Sequence, residues 1–207
     1  MPSTLHAQAW VCSDTGRVRE ENQDSYHLDS ELGLFVVADG MGGSEHGLVA
    51  SRLACSVIKE VIVSHREVLE RHAATPSSQH ADEVEALLTE AVQHAGHEVN
   101  RAAGALTSEG RHMGTTLDAV LISADVAFTA HVGDSRIWLL RDKEARQITE
   151  DHTLVQERIR RGLLTEEQAK SHRQRNVVTR ALGVFESVMV DSLRIVLAPG
   201  DFLLLGS

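Results

Sequence analysis

Aromatic residues are scarce in this chain: two tryptophans, one tyrosine and four phenylalanines, 3% of 207 residues. A core must therefore be built mainly from Val, Leu, Ile and Ala. Cysteine is scarcer still. Cys12 and Cys55 are too few for a disulfide framework and lack metal-site spacing, so both are expected as small core residues. Positive charge is also short, with 20 Lys and Arg against 30 Asp and Glu, a formal net charge of −10. That balance argues against nucleic acid or an anionic membrane surface as the main partner. No apolar run approaches the roughly 20 residues a membrane-spanning helix needs. The opening MPSTLHAQAW has neither the basic cap nor the apolar stretch of a secretory signal. The expected compartment is the cytoplasm.

What is present is a globular composition, 42% hydrophobic, of a length that suits one domain. Leu5, Ala7, Ala9 and Val11 alternate with polar residues, as in a half-buried strand. After the charged stretch SDTGRVREENQDS, Leu34 to Ala38 form a short apolar strand ending at Asp39. From Ser44 the period changes to that of a helix, with Val49, Leu53, Val57 and Val61 on one stripe. AATPSSQH interrupts it, and a second amphipathic helix carries Val84, Leu87, Leu88, Ala91, Val92, Ala95 and Val99. GTTLDAVLI and VAFTAHVGDSRIWLL read as consecutive strands, followed by short helical segments at Leu154–Ile159, Glu166–Ser171 and Asn176–Leu182. Ser187 to Leu197 alternates again, before DFLLLGS. Strands grouped around a central helical pair, without strict βαβ alternation, predict antiparallel sheets with helices laid on their faces.

FVVADGMGG poses the chemical question. A carboxylate at the end of a buried strand is costly unless it is paired or bound to a cation. Glycines after it let the backbone approach a ligand and turn carbonyls toward it. Hard cations such as Mg²⁺ and Mn²⁺ accept both kinds of oxygen, and Asp39 with Gly40 offers both. Taken alone, the stretch fits equally well a turn aspartate bonding its own backbone. HVGDSR repeats the grammar, with Asp134 at the end of another apolar strand. SDTGRVREENQDS holds Arg19, able to clamp a phosphate through its two-pronged guanidinium, and Asp24, able to orient water from behind a metal. Asp118, inside TTLDAVLI, is unusual in mid-strand and is read as half of a polar pair. The pairs His65/His72 and His94/His97 fall at helical spacing but have no third ligand, so they are read as surface residues.

In order, SDTGRVREENQDS, ADGMGG, GTT, HVGDSRIWLLR, ITEDHT and RNVVTRALG resemble the metal-dependent (PPM) family of protein serine/threonine phosphatases, also called type 2C, in its bacterial branch. The resemblance covers nearly the whole chain. It implies an α/β fold, an α-β-β-α sandwich of two antiparallel sheets flanked by helix pairs, in one domain over 1–207 and active as a monomer. Its reaction is removal of phosphate from phosphoserine and phosphothreonine proteins, those of a cognate Ser/Thr kinase, by a water activated at two Mn²⁺ or Mg²⁺ ions. Asp39 would bridge both ions, the Gly40 carbonyl would bind one, and Asp134 would help hold a looser third. Arg19 would grip the substrate phosphate with Asp24 behind it. Residues 149–182 would form a flap beside the cleft, with His152 as a substrate contact. Some members carry a histidine after the Asp-Gly pair as a general acid. Met41 stands there in this chain, so the leaving group would take its proton from water.

One departure matters. The family pattern continues past the equivalent of Ser207 with an Asp-Gly pair and a later Asp-Asn pair, each supplying a ligand aspartate, and with further strands. The expectation is thus a sandwich lacking its last strands, with Asp39 as the one carboxylate left for the two main ions. The rival expectation is a phosphoprotein-binding module that keeps Arg19 and the cleft without turnover.

Overall fold

The computed structural model describes residues 7–43, 45–106 and 113–207. Its larger sheet runs β1 (Asp24–Asp29), β2 (Leu34–Met41), β4 (Leu117–Ser123), β5 (Val126–Val132) and β8 (Asp191–Val196), with the two-residue β3 (Gly114–Thr115) against the end of β2. All its pairings are antiparallel. A smaller antiparallel sheet holds β6 (Arg136–Arg141) between β7 (Glu144–Gln147) and β9 (Phe202–Gly206). The helices α1 (His46–Ser64), α2 (Arg66–Ala74) and α3 (Ser78–Leu106) lie between β2 and β3 in sequence, and the short α4 (Leu154–Arg160) and α5 (Glu166–Lys170) follow β7.

The period of two along each strand separates two cores. Leu34, Val36 and Ala38 of β2, Leu117, Ala119 and Leu121 of β4, and Phe128, Ala130 and Val132 of β5 face the helices. There they meet Ala54, Ile58 and Ile62 of α1 and Leu88, Val92 and Val99 of α3. The alternate residues Phe35, Val120, Ile122, Ala127 and Ile195 face the smaller sheet, against Ile137, Leu203 and Leu205. Asp39 therefore points toward the space between the sheets, at one end of β2. Gly40 points toward α1.

Several expectations are corrected. Leu5 lies outside the described residues, and 7–15 carry no strand, because nothing among the described residues pairs with Ala7–Val11. The first long helix breaks at His65 into α1 and α2. The 176–182 stretch is not helical. Within its β-branched run Val177-Val178-Thr179, Val178 instead forms an isolated bridge to Thr153, and Leu182 beyond the run forms another to Thr115. Cys55 is buried as expected, whereas Cys12 is exposed. His72 is buried and bonds the Ser123 hydroxyl at 2.8 Å, so it is neither a ligand nor a surface residue. Helices cover the larger sheet, but among the described residues none covers the outer side of the smaller one, where Phe202 and Leu204 are exposed. No described helix is long and apolar enough to cross a membrane.

Candidate active site

The register Asp24↔Asp39 places the last carboxylate of β2 directly across from the first of β1. Their carboxyl groups are close enough for the charge of Asp24 to act on Asp39. Burial pushes the Asp39 pKa up to about 6, with the charges of Asp24 and Asp134 adding to the rise and Arg19 opposing it. Residues from separate stretches of sequence thus act on Asp39 at one end of the sheets. Burial likewise raises Asp134, with its own backbone N–H and Arg136 opposing. Asp24 also accepts from the Ser207 hydroxyl at 3.0 Å.

A threonine ties the two strand ends together. The Asp39 N–H donates to Thr116 Oγ1 at 3.0 Å, and the Thr116 N–H donates back to the Asp39 carbonyl at 2.9 Å. Thr116 Oγ1 shares a second hydrogen bond, 2.7 Å, with the hydroxyl of Ser135, the neighbour of Asp134. Thr115 Oγ1 also donates to the Asp39 carbonyl, at 3.0 Å. Thr116 is 1% exposed, so water cannot replace these partners. Thr116→Val, which keeps the shape and removes the hydroxyl, is expected to cost about 1–3 kcal/mol in thermal unfolding. Thr116→Ser should recover most of it.

The glycine after Asp39 has a different use from the one its sequence suggests. A Cβ on Gly40 would sit 2.0 Å from the Gly47 carbonyl oxygen of α1. On the side where a Cβ would stand, the bare backbone admits the helix. The conformational freedom expected of this loop belongs to the next glycines, with φ of 141° at Gly42 and 62° at Gly43. Met41 pairs with Gly114 and offers no proton.

Asp118 and His131 face each other across β4 and β5, both essentially fully buried. His131 Nδ1 lies 2.7 Å from Asp118 Oδ1 and its Nε2 3.1 Å from the Glu150 carbonyl oxygen. Nδ1 thus faces a carboxyl and Nε2 a carbonyl, an arrangement that favours positive charge on the ring. Burial works against that charge, but the bond to Asp118 and its carboxylate outweigh it and hold the pKa above the ordinary value. Asp118 is thus half of a polar pair, as its position in mid-strand predicts.

His152 does not sit where a substrate contact would. It is 5% exposed, and its ring lies 4.6 Å from that of His131. Nδ1 accepts from the Gly133 N–H, and Nε2 faces Asp191, which leaves no free polar atom for a phosphopeptide. Burial, with the nearby charges of His131 and Arg180, lowers its pKa.

Can the residues present hold a divalent cation? Among the described residues no three His, Cys, Asp or Glu side chains converge as a finished cage. The donor chemistry nevertheless fits: hard carboxylate oxygens, with Asp24 and Asp39 directly opposite each other and the Asp39 charge disfavoured by burial and by its acidic neighbours, a cost that a cation would relieve. Sequence reasoning singled out Asp24, Asp39 and Asp134 because carboxylates at strand ends stand out, and Arg19 from the charged loop before β1. It missed the roles of Thr116, Ser135, His131, Asp191 and Arg180. GTT gave a faint signal for Thr116, and residue spacing carries none for Asp191.

Two stacked antiparallel sheets bring acidic strand ends, with an arginine within electrostatic reach, to one end of an α/β sandwich. Residues 16–191 match the family described as protein phosphatase 2C. The serine/threonine phosphatase Stp of Listeria monocytogenes is 35% identical over 210 residues, spanning 98% of this chain and 77% of its own. The solved serine/threonine phosphatase PstP/Ppp of Mycobacterium tuberculosis matches with a TM-score of 0.78 at 34% identity, over 94% of this chain and 75% of that one. The catalytic domain of PstP, solved in complex with 2 manganese ions, matches with a TM-score of 0.73 at 32% identity, over 94% of this chain and 74% of that one. This chain belongs to the protein phosphatase 2C family.

Proposed function

We propose that this chain is a metal-dependent protein serine/threonine phosphatase, removing phosphate from phosphoserine and phosphothreonine side chains. The observation that carries the reading is the gathering of carboxylates at one end of the sheets: Asp24 stands across from Asp39, Thr116 and Ser135 link Asp39 to the neighbour of Asp134, and Arg19 lies within electrostatic reach of Asp39. In this reading Asp39, the Gly40 carbonyl and Asp134 hold Mn²⁺ or Mg²⁺, two ions and a looser third. When bound, such ions acidify water and neutralise charge on phosphoryl oxygens. Arg19, exposed and already within electrostatic reach of Asp39, binds the phosphate and keeps it in line. Asp24 holds water in orientation through its free lone pairs. No side chain acts as nucleophile, and none stands at Met41 to protonate the leaving group, so solvent supplies that proton.

The substrates are phosphoproteins of a cognate Ser/Thr kinase in the cytoplasm, met by a monomer whose 149–182 segment borders the cleft. The names of the relatives favour turnover over the phosphoprotein-binding module. The test is Mn²⁺-dependent release of phosphate from a phosphothreonine peptide, with Arg19→Ala alongside. Arg19→Ala is expected to lower kcat/KM about 10–100-fold, since a charge-assisted bond contributes about 1.5–3 kcal/mol. Folded wild-type protein that releases no phosphate at any Mn²⁺ concentration, or an unaffected Arg19 variant, would count against the reading.

A further inference from the structure

His152 is absorbed by neither the cation site nor the expected substrate contact, yet it makes more bonds to other parts of the chain than its neighbours do. Its own N–H donates to the Gly133 carbonyl at 2.7 Å, and the Gly133 N–H donates back to its Nδ1 at 3.0 Å. Its carbonyl accepts from the Thr179 N–H at 2.7 Å, so the residue also closes the two ends of the 149–182 segment on each other. Because a backbone N–H can only donate, Nδ1 is the bare nitrogen and Nε2 carries the hydrogen. That hydrogen points to Asp191 Oδ2, 3.1 Å away on β8. Arg180 Nη1 also lies 3.1 Å from Nε2, but it is a donor too and is satisfied by Asp191 Oδ1 at 2.7 Å.

Gly133 is thus held on both sides. His152 grips its N–H and its carbonyl, while a Cβ at this position would stand 2.6 Å from Thr116 Cβ. Its φ of 120° is one that side chains rarely adopt. The residue so clamped is the one that aims Asp134.

We propose that His152 is a positioning residue: through Gly133 it fixes the carboxylate of Asp134 for the outer cation, and it ties that aim to the far end of the 149–182 segment through Thr179 and to β8 through Asp191. The proposal rests on the reading of Asp134 as a cation ligand. The ring acts by shape and by its bond directions, and it touches neither ion nor substrate.

Two near-isosteric variants divide its two bonds. His152→Asn places an amide oxygen where Nδ1 lies and keeps the acceptor for Gly133. His152→Gln reaches Asp191 but leaves the Gly133 N–H without its partner. Mn²⁺ binding is read by the electron paramagnetic resonance of free Mn²⁺, with thermal unfolding of each variant as the measure of general damage. The Asn variant is expected within about 3-fold of wild type for the weakest resolved ion. The Gln variant should bind that ion about 10-fold more weakly, at the low end for loss of a group supporting a metal ligand. Both should lose stability to a similar degree, which separates aim from folding. Equal weakening in Asn and Gln, unchanged affinity in Gln, or an Asn variant that fails to fold would each overturn the proposal. Asp39→Asn distinguishes this failure from that of the phosphatase reading. If wild type binds Mn²⁺ and Asp39→Asn does not, a failed Asn/Gln contrast removes His152 alone. If wild type and Asp39→Asn bind alike, the cation site falls and His152 with it.

Discussion

Replacing Asp39 with Asn should remove the Mn²⁺-dependent activity and at the same time make the metal-free protein harder to unfold. If Asp39 holds the cations as proposed, its loss forfeits several kcal/mol of charge stabilisation, at least about 100-fold in turnover. The gain in stability follows from the same burial. The carboxyl is shifted up to about 6 by burial and by Asp24 and Asp134, against about 3.9 in the unfolded chain. Near pH 4 and below, the folded state holds the proton and the shift costs nothing. Between about pH 4 and 6 the unfolded chain releases its proton first, so stability falls as pH rises, and above 6 the penalty is complete. Asn carries no charge at any pH. Allowing for screening of a partly exposed group, the expected difference at pH 7.5 is about 1 kcal/mol, a rise of roughly 2–4 °C in Tm for a chain of this size. In EDTA the rise should be present at pH 7.5 and gone near pH 4. A variant that melts at or below wild type at pH 7.5 would show that the carboxylate is not held against its solvation.

Gly40→Ala should be among the most damaging single methyl groups that can be added to the chain. The new Cβ would meet the Gly47 oxygen at 2.0 Å, the Gly47 carbonyl carbon at 2.3 Å and the Gln23 oxygen at 2.8 Å. All three are backbone atoms, so no side chain can swing aside. The strand end is pinned as well, since the Gly40 N–H donates to the Gln23 carbonyl at 3.1 Å and Ser51 Oγ donates to that same carbonyl at 2.7 Å. Overpacking typically costs 1–3 kcal/mol, and a clash with backbone on two elements belongs at about 3 kcal/mol or more. That corresponds to a Tm lower by roughly 6–12 °C. Gly43→Ala is the control. It has φ 62° and nothing within 4 Å, so only the left-handed backbone cost applies, about 1–2 kcal/mol. Urea unfolding of the two variants compares them directly. Equal losses would mean that the β2–α1 crossing gives way easily.

The sequence speaks clearly where one residue's environment is set by its near neighbours. The stripe of α3 and the alternation of β2, β4 and β5 are of this kind, because burial repeats with the period of the element. Asp39 and Asp134 were visible as carboxylates that end apolar runs. The Asn176–Leu182 stretch misled because its spacing suits a helix, while Thr179 and Leu182 satisfy their N–H groups on His152 and Thr115 instead. Partners that distant leave no trace in spacing. The same holds for His152, whose contacts with Gly133 and Asp191 define it and which a motif alone presents as a bare histidine near the cleft. Gly40 shows a subtler limit. Its need for glycine was legible, but the reason lay in a helix that crosses it.

The penalty at Asp39 has a consequence over generations as well as in the test tube. In a lineage where dephosphorylation no longer mattered, folding alone would favour replacement at this position, since Asn relieves what Asp imposes. Like other groups held at a cost to folding for the sake of function, an idle Asp39 would be under pressure to change. A gene that keeps Asp39 is working against that gradient, so the residue carries a trace of selection for its chemistry.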